Sequence, residues 1–255
     1  MSEIERARER ALAFIESTGE ALDRCLARAL CGKASTREVV GAWEALLAEA
    51  PLDCAAALGA LGALEDVRAL RSPCAKHVCQ WLEGAQAPDG SFGGDGTLSE
   101  AEADEFGRLA RTGMLAGHLA KTPYARPETL AAAGDWLEAA FTPERLQEDW
   151  RVLAGYGHCF ANVLHEGADA ILQWCGRELE KGFRSGRIDA VRTARVFVWC
   201  DAGSLPGGGA LSLGEVVPAV VAEQQPDGGW LRFEAPSSEQ RVAHTLTALA
   251  VLARA

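Results

Sequence analysis

The sequence predicts an all-α fold, an (α/α)6 toroid of about twelve helices arranged in two concentric layers. Apolar residues, mostly Ala and Leu, recur with the 3.6-residue period of a helix along almost the whole chain, and alternating β-branched runs are missing. Helix-breaking residues interrupt this pattern at regular intervals. The segments between the breakers alternate between amphipathic and almost entirely apolar, as two layers of helices require.

The breakers delimit twelve helices in a single domain over residues 1–255. Their predicted ranges are 2–17, 20–31, 36–49, 52–66, 72–86, 102–120, 127–140, 149–165, 168–182, 188–202, 212–224 and 239–254. The segment "REVVGAWEALLAE" is polar on one face, whereas "DCAAALGALGAL" and "TLTALAVLARA" are apolar nearly all round and have to be buried. We therefore expect six outer–inner pairs, with the first helix closing against the last. An open solenoid is the alternative, but its last helix would need a polar outer face.

Composition excludes several classes of partner. A net charge of −11 argues against nucleic acid, which normally binds to basic surfaces. The chain contains no apolar run of about 20 residues that could span a membrane, and its first residues, "MSEIERARERALAFIES", are too charged for a signal peptide. We therefore expect a cytoplasmic protein whose eight cysteines are buried free thiols. Cys74, His77 and Cys79 have no second ligand pair and do not predict a zinc site.

One short turn occurs twice, as "QAPDGSF" at 86–92 and "QQPDGGW" at 224–230. The two glutamines are 138 residues apart, which is three periods of 46, about the length of a two-helix unit. A degenerate copy, "DWLEAAF" at 135–141, repeats the "QWLEGAQ" of 80–86. Each glutamine is expected to satisfy backbone groups at the end of an outer helix, with the aromatic ring packed over the turn. The motif therefore predicts a structural role for both copies.

These turns resemble the QW repeats of the terpene cyclase and protein prenyltransferase superfamily. Gln224 to Trp230 fits the pattern Q-x-x-x-G-x-W, and Gln86 to Phe92 fits it with phenylalanine in place of tryptophan. Trp81 supplies the aromatic residue that precedes the glutamine. In this superfamily squalene-hopene-type cyclases and prenyltransferase β subunits share an α/α toroid. The resemblance implies that the inner helices line a central cavity that holds the substrate.

The resemblance also implies a catalytic acid. Class II cyclases carry a D-x-D-D motif where an inner helix opens after a QW turn, and Glu102, Asp104 and Glu105 occupy that place here as E-x-D-E. Asp104 matches the aspartic acid that protonates an alkene, and the two glutamates are its neighbours. Close carboxylates in a dry cavity can keep one of them protonated. The alternative is that Ser99 and these acidic residues only cap the helix and complement its dipole.

Arginines on the predicted inner helices indicate that the cavity could take a substrate with an anionic group, such as a diphosphate or a carboxylate. The aromatic residues on the same helices would contact its lipophilic part, although ordinary packing between helix layers is the alternative for them. The candidate substrate-binding residues are Phe106, Arg108, Tyr156, Phe160, Arg195, Trp199 and His244.

Two zinc-dependent relatives fit the sequence less well. Asp189 and His244 match two zinc ligands of protein prenyltransferases, but Val191 stands where those enzymes have a cysteine. The segment "VWCDAG" at 198–203 resembles a motif of lanthionine cyclases, whose C-H-G partner is absent, since "GHC" at 157–159 is reversed. We therefore expect neither a metal nor another cofactor.

The resemblance implies a terpene cyclase-like isomerase or lyase of natural-product biosynthesis. It would use an acid to start the cyclisation or isomerisation of an isoprenoid or a related polycyclic precursor, a small lipophilic molecule. The alternative is a metal-free prenyltransferase-like relative that binds a prenyl or other lipophilic anionic ligand, or a partner, without catalysis. The full-length cyclases have two such domains, whereas this chain has one.

Overall fold

The computed structural model describes residues 1–93, 105–146, 149–207, 211–231 and 237–255. These residues form helices and no strands. In chain order the helices are α1 (Glu3–Thr18), α2 (Ala21–Leu30), α3 (Thr36–Glu49), α4 (Cys54–Asp66), α5 (Pro73–Ala85), α6 (Glu105–Ala120), α7 (Pro127–Ala139), α8 (Pro143–Leu146), α9 (Trp150–Asn162), α10 (Ala168–Arg184), α11 (Ala190–Trp199), α12 (Leu213–Ala222) and α13 (Ser238–Leu252). The all-α prediction is confirmed, and each of the twelve predicted helices is found. The sequence did not predict the single-turn helix α8.

Short polar side chains begin most of the helices. Ser35 accepts a hydrogen bond from the backbone N–H of Glu38, and the Glu38 side chain accepts one from the backbone N–H of Ser35. This capping box satisfies two of the amide groups that a helix N-terminus leaves without partners. Pro73 and Pro127 occupy first-turn positions, where the missing N–H is not needed.

The helices alternate in burial as predicted, with one exception. Residues 190–198 of α11 are all buried, and so are residues 109–119 of α6. By contrast, α10 buries only one face, including Ile171, Trp174 and Leu179. The exception is α2, which buries only Ala27 and Leu30 although it occupies an inner position in the predicted order.

Glycines allow the backbones of α6 and α9 to pack closely against each other. A Cβ atom on Gly113 would overlap the backbone of Gly155, and one on Gly155 would lie 2.7 Å from the carbonyl oxygen of Ala110. One turn further along α6, a Cβ atom on Gly117 would overlap the imidazole of His158. The close approach of the two backbones therefore places a histidine of α9 directly against α6.

The first and last helices of the chain are in contact, because α13 packs against α1, and also against α2 and α11. The contact that the sequence predicts between the first and last helices is therefore present.

The two PDG turns have the same hydrogen bonds. In the first turn, the Gln86 side-chain Nε2 donates to the carbonyl oxygen of Gly90 at 2.8 Å, and in the second Gln224 donates to that of Gly228, also at 2.8 Å. Each glycine has a φ of 94°, a conformation that favours glycine. The fully buried aromatic residue that follows donates its backbone N–H to a threonine hydroxyl on the next helix, from Phe92 at 3.0 Å and from Trp230 at 3.1 Å.

Each glutamine also bonds to a helix beyond its own turn. Gln86 donates to the carbonyl oxygen of Thr129 in α7 at 2.9 Å, and Gln224 donates to that of Ala7 in α1 at 2.9 Å. The first turn thus connects α5 with α7, and the second connects α12 with α1. The structural role predicted for the glutamine is confirmed, and the second turn joins the two ends of the chain.

All eight cysteines are free thiols, as predicted, and six of them are buried. Burial raises the pKa of Cys159 and of Cys200 to about 12, so both stay protonated at neutral pH. Within the described ranges, every helix is too short or too polar to cross a membrane.

A candidate ligand cavity beside a buried histidine cluster

A cavity of about 340 Å³ opens between α4, α6 and α9; we call it the main cavity. Its walls are mostly apolar, and two arginines and one histidine supply the charged or titratable groups among the lining residues that the structure describes. The lining residues are Leu58, Gly59, Gly62, Gly107, Ala110, Arg111, Met114, His118, Trp150, Arg151, Ala154 and Trp199. A volume of this size suits a small organic molecule.

The polar side of the main cavity is cationic. Arg111 is only 8% exposed and its guanidinium lies against Gly93, where a side chain would leave it no room. Arg151 is exposed and forms a bidentate pair with Asp149, with Nη2 2.6 Å from Oδ2. A buried guanidinium favours an anionic partner because it keeps its charge at every physiological pH.

A second, smaller cavity of about 100 Å³ shares Trp150 and Trp199 with the main cavity. Arg192 and Arg195 also line it, and each guanidinium stacks on one of the two indoles, Arg192 at 4.8 Å from the Trp150 ring centre and Arg195 at 4.7 Å from that of Trp199. Such cation–π stacking holds the guanidinium groups in fixed positions. His244 lies in the same wall.

Arg195 is held by a partly buried carboxylate at the end of α4. Its Nη1 and Nη2 lie 2.5 and 2.9 Å from the two oxygens of Asp66, which is the bidentate geometry that arginine prefers. This pair joins residues 129 positions apart in the sequence. The adjacent residue on α4, Glu65, points to a different set of partners.

Glu65, His118, His158 and Lys121 form a buried group that we call the histidine cluster. Oε2 of Glu65 lies 2.7 Å from Nδ1 of His118 and 4.0 Å from Nε2 of His158. The other oxygen, Oε1, lies 2.8 Å from the Lys121 ammonium. Glu65 is 4% exposed, His118 1% and His158 0%, so water hardly reaches these groups.

Burial and charge act on the acid and the base of this cluster in different ways. Burial by itself raises the pKa of Glu65, but the His118 hydrogen bond and the nearby charge of Lys121 hold it well below its usual value. Burial lowers the pKa of His158 well below its usual value, and His118 adds to this effect. At neutral pH Glu65 is therefore a carboxylate and His158 a neutral imidazole.

The hydrogen bonds of His158 fix its tautomer. Nδ1 lies 2.9 Å from the carbonyl oxygen of Trp199, which can only accept, so Nδ1 carries the proton. Nε2 then presents a lone pair towards Glu65, and no described residue donates a hydrogen bond to it. A lone pair therefore faces a carboxylate oxygen across a 4.0 Å gap in the interior of the protein.

Of the three predicted catalytic residues, Glu105 is among those that the structure describes. Glu105 is the first residue of α6 and is exposed. Glu102 and Asp104 lie outside the described residues. Arg108 lies at the first PDG turn, with Nη2 2.6 Å from Asp89.

The predicted aromatic residues separate into two groups. Tyr156 and Phe160 stack on each other with ring centres 6.0 Å apart, and the hydroxyl of Tyr156 donates to the carbonyl oxygen of Leu137 at 2.8 Å. Both pack in the core between α9, α7 and α10, where Tyr156 also contacts Trp174, and Phe106 is half-buried against the core. Trp199, with Arg195 and His244, lines the small cavity.

The sequence analysis missed Glu65, His118 and His158. A signal was present, because these titratable residues lie within segments that are otherwise apolar, and a buried polar residue needs a partner. Pairing them required knowledge of which helices are in contact. Cys74 and Cys79 are buried, whereas His77, which lies between them in the sequence, is exposed.

Comparisons with known proteins do not assign this chain to a family. No family model matches it, no curated protein matches it and no solved structure matches it. The resemblance to terpene cyclases and prenyltransferases therefore rests on the motifs in the sequence, and the function has to be inferred from the geometry of the cavities.

Proposed function

We propose that the protein is an α/α toroid whose main cavity binds a small molecule with an apolar body and an anionic group. The observation that carries this proposal is the composition of the cavity wall, in which Leu58, Met114 and Trp150 adjoin the arginines Arg111 and Arg151. An apolar surface binds the body of such a ligand, and a guanidinium binds a phosphate or a carboxylate. An isoprenoid diphosphate has this combination of groups.

Two contacts support the toroid. The second PDG turn bonds Gln224 to α1, as the first bonds Gln86 to α7, so both turns connect an outer helix to the next one in the proposed ring. Contact of α13 with α1 and α2 brings the last pair of helices against the first. Closed rings bury both ends of a repeat array, which an open solenoid leaves exposed.

Acid-initiated conversion of the ligand is the second candidate function, and the course of α6 favours it. Gly107, Ala110 and Arg111, in the first two turns of α6, line the main cavity. Asp104 directly precedes this helix in the sequence, so we propose it as the acid. Asp104→Asn should abolish conversion of an isoprenoid while leaving its binding unchanged. Glu128→Gln, which changes an exposed acidic residue in the first turn of α7, is the control. Equal turnover in both variants would exclude this role.

Ligand titration monitored by tryptophan fluorescence tests the binding proposal, since Trp150 and Trp199 line the cavity. The probes are farnesyl diphosphate, farnesol, which lacks the anion, and pyrophosphate, which lacks the apolar body. We expect farnesyl diphosphate to bind at least about tenfold more tightly than either fragment, because only this probe uses both parts of the wall.

A pair of arginine variants provides the control. Arg111→Met keeps an unbranched side chain and removes the guanidinium, and it should weaken farnesyl diphosphate binding about tenfold with little effect on farnesol. Arg126→Met changes an arginine that is 71% exposed and far from the cavity lining, and should change neither. Equal affinities for the three probes, or equal effects of the two variants, would overturn the proposal.

A further inference from the structure

We infer that the histidine cluster is a binding site for one divalent transition-metal ion, held by Glu65, His118 and His158. Each residue offers one ligand atom, and the three atoms lie within 4.8 Å of one another. The inference does not depend on the ligand proposed for the main cavity.

The lone pair of His158 is the observation that points to a bound cation. With Nδ1 protonated and bonded to the Trp199 carbonyl, Nε2 can act only as an acceptor or as a metal ligand. Metal-bound histidines in proteins commonly donate their other ring N–H to a carbonyl group, which fixes the tautomer and the ring orientation. A buried acceptor facing a carboxylate oxygen has no favourable interaction unless a positive group lies between them.

The distances fit a first-row metal after a small movement. A zinc ion about 2.1 Å from a histidine nitrogen and from a carboxylate oxygen separates these two atoms by about 3.4 Å at the tetrahedral angle. The Glu65 oxygen and Nε2 of His158 are 4.0 Å apart, and the same oxygen is 2.7 Å from Nδ1 of His118. The distance from the Glu65 oxygen to His158 has to decrease and the distance to His118 has to increase, each by a fraction of an ångström.

The ligand atoms select the class of metal. Two imidazoles and one carboxylate suit Zn²⁺, Co²⁺ or Fe²⁺, whereas Mg²⁺ and Ca²⁺ prefer oxygen ligands. Nδ1 of His118 bonds to Glu65 in the metal-free protein, so His118 has to give up the Nδ1 proton before it can bind a metal through that atom. His118 also lines the main cavity, so the cluster adjoins that cavity on this side.

Charges around the site predict a moderate affinity. The Lys121 ammonium bridges Glu65 and Asp201, lying 2.8 Å from a carboxylate oxygen of each. Arg254 adds a second positive charge, because its Nη2 donates to the backbone carbonyl of Glu65 at 2.8 Å and its Nη1 lies 3.4 Å from Asp201. Two carboxylates and two cations compensate each other before the metal arrives, so Lys121 opposes the incoming ion.

Metal loading of the stripped protein tests the inference. The full chain is treated with a chelator, titrated with Co²⁺ or Zn²⁺ and separated from free ion, after which its metal content and the visible spectrum of Co²⁺ are measured. We expect one equivalent per chain and Co²⁺ absorption bands of a low-coordinate site. Glu65→Gln and His158→Gln should each weaken binding at least about tenfold.

The matched control is His77→Gln. His77 is exposed and lies between Cys74 and Cys79, so this variant removes a histidine outside the cluster that has possible metal ligands near it in the sequence. It should leave the affinity and the Co²⁺ spectrum unchanged. Absence of stoichiometric metal, or equal loss of metal in all three variants, would overturn the inference.

The Lys121→Met variant distinguishes a direct effect on metal binding from an effect of unfolding. Removal of this positive charge should tighten metal binding about tenfold or more, because the ion no longer competes with an ammonium for Glu65. Misfolding would weaken binding and cannot produce this result. If Lys121→Met lowers the affinity or leaves it unchanged, the cluster is a buried ion-pair network without a metal. Loss of the metal site would leave farnesyl diphosphate binding intact, so failures of the two proposals can be distinguished.

Discussion

Glu65 and Asp66 are neighbouring carboxylates on α4, one in the histidine cluster and the other bonded to an arginine of the small cavity. Their charges are compensated in different ways. Asp66 receives both arms of the Arg195 guanidinium, and the pair is complete. Glu65 pairs with His118 and Lys121. The lone pair on Nε2 of His158 has no hydrogen-bond donor among the described residues. An ion pair in which every hydrogen-bonding atom has a partner only holds the cavity wall in place. A cluster that contains an unpaired lone pair can still bind a ligand. This difference makes the cluster the better candidate for a site.

Removing the charge of Glu65 should have the largest effect on stability. Glu65→Gln leaves the buried His118 without its anion and Lys121 with Asp201 alone, and we expect the free energy of unfolding to fall by about 3–5 kcal/mol in metal-free protein. The measurement is urea denaturation at pH 7.5. Asp135→Asn is the control, since the Asp135 side chain is 76% exposed and its pair with His165 should contribute less than about 1 kcal/mol. Similar losses in both variants would contradict the description of the cluster as a buried network.

A side chain at Gly117 should displace His158 without changing any charge. Gly117→Ala puts a methyl group where the imidazole lies, and we expect a loss of about 1–3 kcal/mol in the free energy of unfolding. The control, Gly41→Ala, adds a methyl group in open space on α3 and should stabilise the protein by about 0.5–1 kcal/mol. Metal affinity should fall in the first variant only. An unchanged affinity would mean that the position of His158 does not determine binding.

Acidification should destabilise the metal-free protein in two steps. The pKa of His158 is lowered in the folded state, so below about pH 6.5 the unfolded chain takes up a proton that the folded one excludes. Stability should therefore fall as the pH falls, by up to about 1.4 kcal/mol per pH unit for this group. His118, Lys121 and Glu65 face His158, and the lowered pKa of Glu65 adds a second loss below about pH 5.

Unfolding curves between pH 8 and pH 4 measure these losses. In His158→Gln the decline between pH 7 and pH 5.5 should become shallower, whereas the decline below pH 5 should remain. A pH dependence identical to that of the unmodified chain would show that His158 is not the group responsible.

The smallest effect is expected at the completed pair. Arg195→Lys keeps the charge opposite Asp66 but loses the second hydrogen bond and the stacking on Trp199, which should lower the free energy of unfolding by about 1 kcal/mol. Metal affinity should not change, because Arg195 contacts Asp66 and not Glu65. A change in Co²⁺ affinity in this variant would show that the two regions are coupled.

Local sequence patterns predicted the helices because each depends on neighbouring residues. The predicted helix at 36–49 coincides with α3, which a Ser35–Glu38 capping box begins. The PDG turn could also be predicted from the sequence, because a glycine at positive φ and a glutamine four residues earlier are local features. The expected role of Arg108 illustrates the limit, because helical spacing gave its position on α6 but not the Asp89 side chain that it contacts.

The sequence by itself determined twelve of the thirteen described helices and the two turns, since propensity, capping and periodicity act over a few residues. Only the tertiary structure decided which polar residues meet. Glu65 and His118 are 53 positions apart, and the small glycines of α6 and α9 bring His118 against His158. Contacts of this kind depend on how closely two backbones approach, and no local pattern of residue types contains that distance. In the sequence alone, the residues of the candidate site are therefore seen only as isolated polar residues within apolar segments.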